Sequence, residues 1–136
     1  MRYATLYYCA FICVVPLVSI EDSLACQGEQ LTLSCPIDDD VLLILDAFYG
    51  RKNLLDCAAG DDTTVTSANA SCNSSLALAA VSTLCNGKKT CLITVGDGLL
   101  GQDCGGDAKY LEVAHSCASK RRSLVIRLHY ALLRHA

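Results

Sequence analysis

The stretch "EQLTLSCP" alternates Leu31, Leu33 and Cys35 with Thr32 and Ser34. One face is apolar and the other polar, which predicts a half-buried β-strand. Asp38 to Asp40 interrupt the pattern and predict a turn. "VLLILDAFYG" is apolar at most positions, carries β-branched and aromatic residues and stops at Gly50, so it predicts a central strand. Residues 58–75 are small, polar and turn-rich. They predict a loop that is long for a compact domain unless Cys57 and Cys72 tie it down. "SSLALAAVSTLCNGKKTC" predicts the one main helix. Ser74 or Ser75 can cap it, alanine and leucine fill it, and Asn86-Gly87 stops it. Its apolar stripe reads Leu76, Ala80 and Leu84, with Val81 beside it. "CLITV" predicts a strand and "GDGLLG" a turn. "KYLEVAHSC" predicts a last strand, with Leu111, Val113 and Cys117 on one face and Tyr110, Glu112 and Ser116 on the other. The pattern amounts to four or five strands and one helix.

Both ends of the chain depart from this pattern. The apolar run from Ala4 to Ile20 is 17 residues long, follows Arg2, and leads to small residues at Ser23 and Ala25. It reads as a secretory leader over residues 1–25, with cleavage after Ser19 as an alternative; it is at the short end for a membrane span. Residues 118–136 form a basic tail in which Leu124, Leu128 and Leu132 are spaced four apart. That spacing allows a short basic amphipathic helix. A disordered end, or one trimmed at the "KRR" of residues 120–122, is the preferred reading, with contact at a membrane surface a lesser alternative.

Cysteine usage sharpens the class. Ten cysteines are present; Cys9 and Cys13 lie in the leader, which leaves eight between Cys26 and Cys117. An even number in a short exported segment predicts four disulfides. A zinc site would want close C-x2-C pairs, and the shortest spacing here is that of Cys85 and Cys91. A domain over 26–117 has a modest core, so crosslinks should supply much of its stability. Its net charge is −7 (12 acids against Arg51, Lys52, Lys88, Lys89 and Lys109), whereas the tail has five bases and no acid. An acidic core argues against nucleic acid, whose phosphates need clustered cations.

No catalytic constellation assembles. His115, the one histidine in the cysteine-rich segment, is adjacent to Ser116 in a strand, so the two side chains point to opposite faces. Neither a metal nor a cofactor motif is present. Two sequons, Asn69-Ala70-Ser71 and Asn73-Ser74-Ser75, lie in the polar loop and predict N-glycosylation. The remaining candidate chemistry is "AFYGR" together with "CGGDAKYLEV", each placing glycine, tyrosine and one cation where a strand meets a loop. Glycine lets a ligand approach the backbone, tyrosine offers an apolar face with a hydroxyl, and lysine offers three donors. Those groups suit a small polyol. Equally, Tyr49 and Tyr110 could be plain core aromatics and Arg51 the partner of a nearby aspartate.

These stretches resemble the galactose- and rhamnose-binding lectin domain of sea-urchin and fish egg lectins and of the latrophilin N-terminus. "AFYGR" matches the family's A-x-Y-G-R, "QDCGGDAKYLEVAHSC" its D-P-C-x-G-T-x-K-Y-L-x-V-x-Y-x-C, and "CQGEQLTLSC" and "CNGKKTC" its opening and middle. The resemblance covers Cys26 to Cys117. It implies a small disulfide-rich α/β fold: a compact antiparallel β-sandwich of about five strands, with one main helix and long structured loops. It also implies the pairs Cys26–Cys57, Cys35–Cys117, Cys72–Cys104 and Cys85–Cys91, and a sugar pocket lined by Gln27, Tyr49, Gln102, Gly106 and Lys109. The family usually has a glutamate where Gln27 stands and an aspartate where Gln102 stands. Two carboxylates are thus amides here, and hydrogen bonds to an ionised group are about twice as strong.

The reading that follows is a secreted, non-catalytic lectin whose partners are cell-surface or extracellular glycans. The first alternative is an extracellular protein-binding adhesion module on the same scaffold, with sugar binding weakened or lost. A membrane-active secreted peptide working through the basic tail is the third.

Overall fold

A computed structural model describes residues 19–53, 56–57, 72–101, 109–119 and 123–135. Among these the chain forms six strands and three helices. The strands are β1 (Glu21–Cys26), β2 (Gln30–Ser34), β3 (Val41–Arg51), β4 (Cys72–Asn73), β5 (Thr90–Thr94) and β6 (Tyr110–Ala118). The helices are α1 (Ala77–Cys85), α2 (Asp97–Leu100) and α3 (Ser123–His135). An antiparallel four-stranded sheet runs β1-β6-β3-β4, and β2 and β5 form a second, two-stranded sheet. The fold is small, disulfide-rich α/β.

β2 and β5 show why alternation is informative. Leu31 sits opposite Ile93 and Leu33 opposite Cys91, all four on the inner face. Such apolar cross-strand pairs are the unit that holds a sheet together. The main core lies where this ribbon, the inner face of the larger sheet and α1 meet, and includes Leu33, Leu42, Tyr49, Val81, Ile93, Leu111 and Val113.

β3 is central, as expected, between β6 and β4. Both its faces are covered. Leu42 and Ile44 face the main core, whereas Leu43 and Leu45 pack with Ala118 and Ile126 beneath α3. A bulge between Ile44 and Asp46 then shifts the phase: Ile44 pairs with His115 and Asp46 with Ala114, which leaves Leu45 without a register partner. An extra residue exchanges the faces of everything after it. The core residues of β3 are therefore Leu42 and Ile44 before the bulge but Ala47 and Tyr49 after it.

The structure corrects several local expectations. β1 pairs along its length with β6, so the sheet uses residues 21–25, which the sequence reading gave to the leader. The buried stripe of α1 is Ala77, Val81 and Cys85, one position on from the predicted one; Leu76 is exposed, and Ala80 and Leu84 are only partly buried. Cys85 sets that register, because it must face β5 to reach Cys91. The N-cap of α1 is Leu76, with no side-chain cap bond of its own. The buried Ser74 hydroxyl accepts from the Leu76 amide at 3.3 Å and donates to the Leu100 carbonyl. "GDGLLG" forms the single-turn helix α2 rather than a plain turn. Cys72–Asn73, assigned to the loop, pairs with the end of β3. The tail, for which disorder was the preferred expectation, forms α3 over residues 123–135, the helix that its leucine spacing allowed.

Disulfides Cys26–Cys57, Cys35–Cys117 and Cys85–Cys91 form as the resemblance implied. Cys72 is also disulfide-bonded, and its expected partner Cys104 lies outside the described residues.

Gly50 shows a close approach of a different kind from the one expected. Its φ is +152°, and a Cβ there would lie 2.0 Å from the Cys72 carbonyl oxygen. What comes close is β4, not a ligand. Gly50→Ala should therefore detach β4 and cost more than about 2 kcal/mol, read as a fall in the urea midpoint. An unchanged midpoint would contradict this packing.

Candidate functional site

Three of the five expected pocket residues are described, and they converge. Gln27 follows β1, Tyr49 is near the end of β3, and Lys109 precedes β6. The Gln27 amide nitrogen donates to the Lys109 carbonyl at 2.9 Å, continuing the β1–β6 ladder by one step. In return the Lys109 amide nitrogen donates to Gln27 Oε1 at 3.4 Å. Gln102 and Gly106 lie outside the described residues.

The group that joins the remaining two is Asp97, which the sequence reading did not select. The Tyr49 hydroxyl donates to Asp97 Oδ1 at 2.8 Å, and Lys109 Nζ donates to the same oxygen at 2.6 Å. Lys109 Nζ also stands 5.7 Å from the centroid of the Tyr49 ring. Gly96 is the N-cap of α2 in an extended conformation, and Asp97 is its first residue. The glycine-flanked "GDG" read as turn chemistry. The available signal was an acid in a turn that closes on the strand mouth holding Lys109.

Electrostatics follow from this geometry. The Lys109 side chain is 5% exposed and that of Asp97 27%. A nearly buried ammonium requires a partner, and Asp97 supplies it. The Lys109 hydrogen bond, partly opposed by desolvation, holds the Asp97 carboxyl below its ordinary range. Burial first, then the bond to Asp97, pushes the Tyr49 hydroxyl far above its ordinary value. Tyr49 is thus a permanent donor. Its ring has no exposed surface, so in this state it orients Asp97 instead of offering an aromatic wall. What faces solvent is the rest of the Asp97 carboxylate and the half-buried Gln27. Lys109 has three donors and uses one on Asp97.

The neighbouring candidates are structural. Buried Arg51 donates to the carbonyls of Asn53 at 2.8 Å and Cys57 at 3.3 Å, and lies over the Tyr110 ring. Tyr110 is a core aromatic, and its hydroxyl accepts from the Lys52 amide. His115 is fully buried beside Glu21, with 3.6 Å between Nε2 and the carboxylate. Ser116 donates to the Ser19 carbonyl instead, so the two form no nucleophile–base pair. Of the two sequon asparagines, Asn73 is exposed on β4, and Asn69 lies outside the described residues.

Residues 33–117 match the family model for the D-galactoside/L-rhamnose binding SUEL lectin domain. The chain belongs to the SUEL lectin domain family. It is similar to the L-rhamnose-binding lectin ELEL-1 of Echinometra lucunter, at 31% identity over 77% of this chain and 98% of that protein. The D-galactoside-specific lectin of Heliocidaris crassispina is 37% identical over 68% of this chain and 86% of its own length. Adhesion G protein-coupled receptor L1 of Mus musculus is 31% identical over 76% of this chain, which is 7% of that receptor. The three family disulfides and the Gln27–Tyr49–Lys109 cluster thus sit on a SUEL scaffold in which Asp97 is the described carboxylate at the site.

Proposed function

We propose that this chain is a secreted, non-catalytic lectin that binds a galactose- or rhamnose-type sugar in the cleft of Gln27, Tyr49, Asp97 and Lys109, completed by Gln102 and Gly106. The observation that carries the reading is the shared Asp97 oxygen, held at 2.8 Å by Tyr49 and 2.6 Å by Lys109 in a member of this family. It fixes a carboxylate and an ammonium before any ligand arrives, and pre-ordered groups lose less entropy on binding. The carboxylate of Asp97 suits vicinal hydroxyls, and the Lys109 donors that no other described residue takes up suit their oxygens. In this reading Asp97 compensates for the amides at Gln27 and Gln102. Export is supported by the disulfides, which persist in oxidising compartments. The leader would end at Ser19, before β1, and Asn73 would be an accessible glycan acceptor.

A glycan array followed by calorimetric titration tests the proposal. One domain presents one site, so affinity should be weak, with avidity left to oligomers. Lys109→Ala should weaken binding at least about ten-fold, with circular dichroism confirming that it folds. No sugar-dependent heat at millimolar ligand would overturn the reading. The two amide replacements favour a second reading, an extracellular protein-binding module with a decayed sugar site. Under it, wild type is silent and Gln27→Glu with Gln102→Asp gains sugar binding.

A further inference from the structure

α3 is apolar on two faces, and the sheet uses only one of them. Ile126 and Tyr130 pack with Leu43, Leu45 and Ala118, and Arg134 pairs with Asp46 at 3.3 Å. On the far side Leu128 is 61% exposed and Leu132 71%. At about 100° per residue, Leu128 and Leu132 lie roughly 140–180° around the helix from the buried stripe. One exposed leucine means nothing, but two on successive turns of one face form a patch that needs an occupant.

Charge selects the occupant. The sequence after Cys117 holds five bases and no acid. Arg127, Arg134 and His135 line the α3 side of a groove of about 420 Å³, whose opposite wall, including Leu78, Ser82 and Asn86, carries no acid. A second copy docked helix to helix would set arginine against arginine with nothing in the segment to offset it. An anionic surface meets no such repulsion. α3 has 13 residues, and no helix among the described residues is long and apolar enough to cross a membrane.

We infer that α3 docks this domain onto an anionic phospholipid surface. Leu128 and Leu132 enter the boundary between headgroups and acyl chains, and Arg127 reaches the phosphates along its apolar stem. The sugar cleft stays free, because Tyr49 and the α3 contact at Leu45 lie on opposite faces of β3. The inference is independent of the sugar reading.

The test is cosedimentation of the secreted chain with phosphatidylcholine vesicles, with and without phosphatidylserine. The variant is Leu128→Gln with Leu132→Gln, which keeps helix propensity and alters only exposed positions. The expected result is pelleting with phosphatidylserine vesicles that weakens in high salt and falls at least about ten-fold in the variant. No pelleting, or equal pelleting of wild type and variant, overturns the inference. So does a concentration-dependent dimer that the variant abolishes while neither protein binds vesicles, since the stripe would then belong to a second copy.

Discussion

Replacing both Cys35 and Cys117 with alanine should cost about 4.5 kcal/mol in the chain-entropy model, because this bond closes a loop with a sequence separation of 82. Small domains have only about 5–15 kcal/mol in total, so much of the stability goes with one crosslink. The position of the bond explains the consequence. Cys35 directly follows β2, and Cys117 lies near the end of β6. The bond therefore ties the two-stranded sheet to the four-stranded one across the core. Without it, the ribbon of β2 and β5 is held mainly by its apolar face. Removing Cys85–Cys91, with a separation of 6, should cost only about 2.4 kcal/mol by the same relation. Urea melts of the two double variants measure the contrast. Equal losses would mean that strain or packing, not loop closure, sets the values.

Asp97→Ala should have the second large effect, about 3 kcal/mol and loss of sugar binding. It leaves an ammonium that is 5% exposed without its carboxylate, and it strips the Tyr49 hydroxyl of its acceptor. Breaking a buried pair from one side costs about 3–5 kcal/mol, and the 27% exposure of Asp97 places this case at the low end. Asp97→Asn should cost less, since an amide oxygen still accepts. The two also separate by pH. The Asp97 carboxyl is held below its ordinary value chiefly by the Lys109 bond. A depressed carboxyl contributes stability that is present above its unfolded pKa of about 4 and is lost as pH falls through the lower folded value. The stability gap between wild type and Asp97→Asn should therefore close on acidification below about pH 4. A gap that stays constant from neutral pH down to pH 2 would show that the pair adds nothing through its charge.

Much of the fold was legible along the chain. The alternation in "EQLTLSCP" placed Leu31 and Leu33 inside, and eight cysteines after an apolar N-terminal run announced a crosslinked module. The motifs around Tyr49 and Lys109 pointed to the family and, through it, to three of the observed bonds. Other features were hidden for identifiable reasons. α1 was misread by one position because "SSLALAAV" is apolar on too many sides to show its own buried stripe; the reach from Cys85 to Cys91 chose it. β1 was hidden because its small residues Ser23 and Ala25 resemble a processing signal. Asp97 was hidden because glycine on both sides looks the same in a turn and at the start of a short helix.

The sequence by itself determined the class of molecule: which segments extend, that cysteines staple them, and which cation stands at the mouth of the last strand. Only the tertiary structure decided what that cation meets. "VLLILDAFYG" is apolar at most positions and does not say which face each residue takes. The bulge after Ile44, set by pairing with His115 and Ala114 on a strand some seventy residues downstream, turns Tyr49 inward to Asp97. A one-residue phase shift arises from pairing across the sheet, and no local pattern records it.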